Sequence, residues 1–79
     1  MHAEERRAIT KERIASGRLP IPRWISVHPN SGYMGRCDGC GDGIEAGGYT
    51  FTVLLRDEVT FHFHDECFDV YNTFGYRSR

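Results

Sequence analysis

A small α+β fold that needs a staple beyond its own core is what this sequence predicts, on three observations. The chain has 79 residues, and a chain of that size buries too little apolar surface to be comfortably stable unaided. Two apolar runs of period two, Tyr49 to Leu55 and Val59 to His64, precede a short amphipathic segment, which reads as strand, strand, helix. Four side chains of metal-ligating type bracket that hairpin in two pairs, Cys37 with Cys40 and His64 with Cys67.

In chain order, residues 3 to 16 predict a helix. Ala3, Glu4, Glu5, Arg6, Arg7, Ala8, Lys11, Glu12, Arg13 and Ala15 are good helix formers, and Gly17 stands where a helix stops. Its apolar face is thin, with Ile9 and Ile14 five apart and only alanines to widen the stripe, so a loose attachment to the rest is expected. Leu19, Pro20, Ile21 and Pro22 must be extended, because each proline disfavours a helical conformation at the residue before it. This divides the chain into a basic helix and Pro-containing linker, residues 1–23, and a single domain, residues 24–79.

A strand is expected from Arg23 to His28, ended by the turn formers Pro29, Asn30, Ser31 and Gly32, with Trp24 as a packing residue. The first cysteine pair sits among Gly35, Gly39, Gly41 and Gly43. The polar turn Arg56, Asp57, Glu58 joins the two alternating runs into a hairpin. Asp65 is placed to cap a final helix in which Cys67, Val70, Tyr71 and Phe74 share a face, with Gly75 as its stop.

The chemistry lies in the four ligands. Cys37-Asp-Gly-Cys40 sets two thiolates on a tight turn where glycines let the chain reverse around a metal, the pattern of a zinc knuckle. His64-Asp-Glu-Cys67 adds an imidazole and a thiolate three residues apart, so the end of a strand and the first helical turn can face one point. All three cysteines of the chain are then used on one structural Zn2+. A thioredoxin-like dithiol would want a βαβ setting that the pattern lacks. His62 lies two residues from His64 on the same strand face, but a separation of about 6 to 7 Å places it poorly to share a metal with Cys67. His2 and His28 are expected to face solvent.

These residues resemble the first zinc module of LIM domains and, more broadly, treble-clef zinc domains, through Cys37, Gly39, Cys40, Gly41, His64, Cys67 and the aromatic Phe68 after the last ligand. The resemblance covers Arg36 to about Phe74 and implies a knuckle, a β-hairpin and a helix carrying the final ligand. A LIM domain continues into a second module whose first cysteines would fall at Val70 and Thr73; neither is cysteine. What carries over is one metal and the role of presenting a protein-binding surface.

Charge and composition bound the rest. Four protein ligands close a tetrahedral zinc, so a catalytic water position is not expected and neither is an enzyme. Zinc deaminases place His-x-Glu before a Pro-Cys-x-x-Cys element; here the order is reversed and the proline absent. Residues 1 to 36 carry a net +4 and residues 37 to 76 a net −7. The acidic set Asp38, Asp42, Glu45, Asp57, Glu58, Asp65, Glu66 and Asp69 would repel phosphates, so nucleic acid is disfavoured and remains the alternative through the basic N-terminal segment. No apolar run approaches membrane-span length and no secretory pattern opens the chain, so a cytoplasmic location is expected. The expected function is a non-catalytic zinc module serving protein interaction, or an accessory subunit, with a protein partner.

Overall fold

The chain was analysed as a computed structural model, which describes residues 2–19, 24–45, 47–55 and 58–77; the side chains of residues 24, 25 and 74–77 lie outside that description. The elements run α1 (Ala3–Ala15), β1 (Trp24–Asn30), β2 (Gly35–Arg36), β3 (Gly43–Ile44), β4 (Thr50–Leu55), β5 (Thr60–His64) and α2 (Asp65–Arg77). This is the small α+β arrangement expected, with the helices at the two ends and antiparallel strands between them.

The expected N-terminal helix stops at Gly17, whose φ of +81° is the left-handed conformation that glycine adopts without a steric penalty. Three other boundaries differ from the sequence reading. β1 continues through Pro29 to Asn30, because an edge strand tolerates a proline whose missing N–H faces away from the ladder. α2 follows β5 directly, with Asp65 as its first residue and not as its cap, and it runs past Gly75 to Arg77. The short pair β2 and β3, unanticipated in the glycine-rich stretch, brackets the first two cysteines. The linker Pro20, Ile21, Pro22, the start of the strand at Arg23, the packing of Trp24, the turn residues Arg56 and Asp57 and the side chain of Phe74 lie outside the described residues, as does the division after residue 23.

The main sheet has the order β1-β4-β5. Its register sets Phe51 opposite Phe63 and Val53 opposite Phe61, so the large apolar residues share one face, while Thr52 and His62 are paired on the other. α2 lies on the apolar face. Phe63 stacks on Tyr71 with ring centroids 4.9 Å apart, Phe51 meets Phe68 at 4.6 Å, and Val53, Phe63 and Tyr71 are fully buried. Of the four residues expected on one helical face, Cys67, Val70 and Tyr71 are all buried.

α1 is seated on α2 more firmly than its thin stripe predicts. Ile14 and Leu19 join the core and Ile9 packs against it, and polar contacts add to these. Arg7 pairs with Asp69 at 3.5 Å, Arg6 with Glu66 at 2.8 Å, and Thr10 is fully buried. Among the described residues, no helix is long and apolar enough to cross a membrane.

Candidate metal centre

The first pair of cysteines owes its placement to a tight reversal between β2 and β3. The Gly41 N–H donates to the Cys37 carbonyl at 2.8 Å and the Cys37 N–H to the Asp42 carbonyl at 2.9 Å, closing the turn. Gly41 has a φ of +80°, which a side chain would strain. Within the turn, backbone N–H groups point at the sulfurs: Gly39 donates to Cys37 Sγ at 3.3 Å and Asp42 to Cys40 Sγ at 3.4 Å.

The second pair arrives from the far side. β5 delivers His64 at its last residue and α2 delivers Cys67 in its first turn. The two pairs are stitched by the His64 N–H, which donates to Cys37 Sγ at 3.4 Å. The knuckle also closes the edge of β5: the Asp38 N–H donates to the His62 carbonyl and the His62 N–H to Asp38 Oδ2, both at 2.8 Å.

Cys37, Cys40, His64 and Cys67 are all buried, and their ligand atoms lie within 4.8 Å of one another. This is the set expected from spacing, and it can hold a metal ion. The histidine supplies the clearest test of fit. Its Nε2 lies 3.1 Å from the Gly43 carbonyl, which can only accept, so Nε2 carries the proton and Nδ1 presents a lone pair. That Nδ1 is 3.5 Å from Cys40 Sγ and 3.9 Å from Cys67 Sγ. Zinc bonds of about 2.3 Å to sulfur and 2.0 to 2.1 Å to nitrogen give tetrahedral nitrogen–sulfur edges of about 3.6 Å, so the spacing suits that ion. Three soft sulfurs and one imidazole gathered within 4.8 Å are a donor set that suits zinc better than calcium or magnesium.

The electrostatics favour thiolate at one position in particular. The Cys37 thiol is pushed down to about 4, first by the hydrogen bond from Cys67 and then by the N–H groups of Cys40, His64 and Gly39. Cys67 is pushed up, because it is the proton donor of that pair and because it is buried; the Thr10 hydroxyl acts against this rise. Burial likewise raises Cys40. Three sulfurs this close cannot all ionise without a cation between them, a charge that a metal held by these residues would supply.

His62 stays out of the cluster. Its Nδ1 is 3.1 Å from Thr52 Oγ1, and its ring stacks on Tyr33 with centroids 3.7 Å apart. His2 and His28 are exposed, as expected.

Sequence reading missed the residues that surround the ligands. Arg6 donates from Nε and Nη2 to Asp42 at 3.3 and 3.2 Å and from Nη1 to Glu66 at 2.8 Å. Thr10 donates to the Arg6 carbonyl at 2.8 Å, and Arg13 donates to the Gly39 carbonyl at 3.1 Å. Positions 6, 10 and 13 have the i, i+4, i+7 spacing of one helical face, a signal that a search confined to apolar residues passes over. Gly39 sits beneath this face: a methyl group there would lie 2.8 Å from Thr10 Oγ1 and 3.1 Å from both Cys67 Cβ and Phe63 Cδ1. Beside the centre, Asp42, Glu45, Tyr49, His64, Asp65 and Glu66 line much of a cleft of about 680 Å³.

Comparison of the chain with protein-family models, with curated proteins and with solved structures finds no match.

Proposed function

We propose that the chain is a non-catalytic structural-zinc module of treble-clef type, similar to the first half of a LIM domain, that serves protein interaction or acts as an accessory subunit. The observation that carries this reading is the closed set of four buried ligands, with His64 held in the tautomer that offers Nδ1. When bound, the metal contributes folding energy by cross-linking β5, α2 and the knuckle. The chain's own part is to orient His64 through Gly43, to donate backbone N–H groups to the sulfurs and to cover the centre with α1. A fourth protein ligand where a catalytic zinc keeps water supports a non-catalytic role.

For the partner, a protein is favoured over nucleic acid. Three cations of the basic segment are already engaged within the chain, Arg6 with Asp42 and Glu66, Arg7 with Asp69 and Arg13 with Gly39. In the cleft beside the centre Arg6 is taken up by Asp42 and Glu66, while Glu45 and Asp65 add two further carboxylates and Tyr49 is 58% exposed, a lining that suits a basic protein segment better than a phosphate backbone.

Elemental analysis of the purified chain tests the core of this reading, with one zinc per chain expected. Chelation of that zinc is expected to abolish the near-ultraviolet dichroism, because about 10 to 16 kcal/mol of metal binding energy exceeds what a core this small supplies. A well-folded, metal-free chain would refute it. A gel shift at two salt concentrations separates the partner classes: a salt-sensitive shift with nucleic acid would displace the protein-partner reading.

A further inference from the structure

α1 is bound to the metal centre through chemistry that its apolar stripe does not account for. The Arg6 guanidinium reaches both halves of the ligand set, because Asp42 is two residues past Cys40 and gives that sulfur its N–H, while Glu66 immediately precedes Cys67. One side chain therefore ties the knuckle pair to the strand–helix pair. The Arg6 carbonyl lies 4.0 Å from Cys67 Sγ. A turn later, the buried Thr10 hydroxyl fills the space over Gly39, and Arg13 fastens the Gly39 carbonyl between the first two ligands. Both ion pairs of Arg6 are partly shielded, with the three side chains 18 to 32% exposed.

We propose that α1 is a latch on metal exchange: Arg6, Thr10 and Arg13 hold the two ligand pairs together, and the metal leaves quickly only when this face of the helix lifts. The inference rests on the zinc reading above. A metal held by four ligands departs by losing them one at a time to an incoming chelator, and that requires the knuckle to part from the start of α2. Arg6 spans that line of parting. A helix of thirteen residues is marginal in water on its own, so lifting it also melts it, and the latch has two states rather than a range of partial openings. Arg6, Thr10 and Arg13 are in this sense positioning residues, acting on the metal through Asp42, Glu66, Cys67 and Gly39.

The test uses the full chain loaded with one zinc, mixed with an excess of a chromophoric chelator, and reads the rate of zinc transfer. Arg6→Ala is expected to release zinc about tenfold faster than wild type while still binding one ion per chain. Arg7→Ala removes the same charge from the same helix, but its Asp69 pair is exposed and touches no ligand-bearing turn; its release rate is expected to stay within about twofold of wild type. Raising the ionic strength is expected to speed wild type towards the Arg6→Ala rate and to leave the variant unmoved. A merely structural contribution would lower the melting temperature of both variants without separating their release rates or removing the salt dependence.

Equal release from wild type and Arg6→Ala overturns the latch. Should Arg6→Ala fail to fold, Glu66→Gln removes one arm only and is expected to accelerate release about threefold; no acceleration there overturns it equally. A chain that takes up no zinc fails the underlying reading before any rate is measured, so the two failures are distinguishable.

Discussion

Replacing Gly39 by alanine isolates the docking of α1 from the chemistry of the ligands. Gly39 is not among the glycines with positive φ, so its backbone accepts an alanine without strain. The obstacle is the space above it: the new methyl would sit 2.8 Å from Thr10 Oγ1 and 3.1 Å from Cys67 Cβ and Phe63 Cδ1, all belonging to residues with no exposed surface. None of these is the free end of a flexible side chain, so relief requires α1 to move outward. Overpacking of this kind costs about 1 to 3 kcal/mol, and the stiffer unfolded chain returns about 0.4 to 1 kcal/mol. The net loss is then about 1 to 2 kcal/mol. In a domain of this size each kcal/mol shifts the midpoint by about 4 to 8 °C, so thermal melts of the zinc-loaded chain are expected to fall by about 5 to 15 °C. The double variant Thr10→Ala, Gly39→Ala should lose less than the two single changes together, because the nearest obstructing atom has gone. A melting temperature at or above wild type for Gly39→Ala would show that α1 does not sit over the knuckle.

The two histidines of β5 should separate cleanly. His64→Ala removes the Nδ1 ligand and the Gly43 bond, and titration against a competing chelator should show zinc affinity lowered by at least about a hundredfold; His62→Ala, which loses the Thr52 contact and the Tyr33 stack, should keep one ion per chain. Reversal of that ranking would show that the ligand position on β5 is His62 and not His64, one step along the same face. Phe63→Ala, at a fully buried ring stacked on Tyr71, should cost about 3 to 5 kcal/mol and leave urea denaturation without a native baseline near room temperature; a sharp transition little shifted from wild type would contradict the core assigned to it.

The centre itself was legible because its information is local. Cys37, Cys40, His64 and Cys67 are fixed by two short spacings, each closed within a turn or at a strand–helix junction, and period-two alternation marks β4 and β5 between them. The hold of α1 was not legible, because it depends on which polar groups meet after folding. Nothing in Arg6, Thr10 or Arg13 taken singly distinguishes a buried contact from a solvated one, and Arg7 and Glu12 look no different in the sequence. Strand and helix ends were misjudged for a related reason. Pro29 reads as a stop unless its strand is known to lie at an edge, and Gly75 reads as a stop although α2 continues beyond it.

The bond between Asp38 and β5 has a consequence for how the protein behaves when crowded. A three-stranded sheet exposes two unsatisfied margins, each a template on which another chain can add itself as a further strand. On the β5 side, Asp38 occupies the place a neighbouring strand would take, its N–H and carboxylate both bonded to His62, so that margin is already spoken for. On the β1 side, an irregularity between Trp24 and Ser26 breaks the straight run of the strand, and Pro29 contributes no donor. Among the described residues, neither margin of this sheet offers a long, regular row of partners, which makes it a poor template for strand addition.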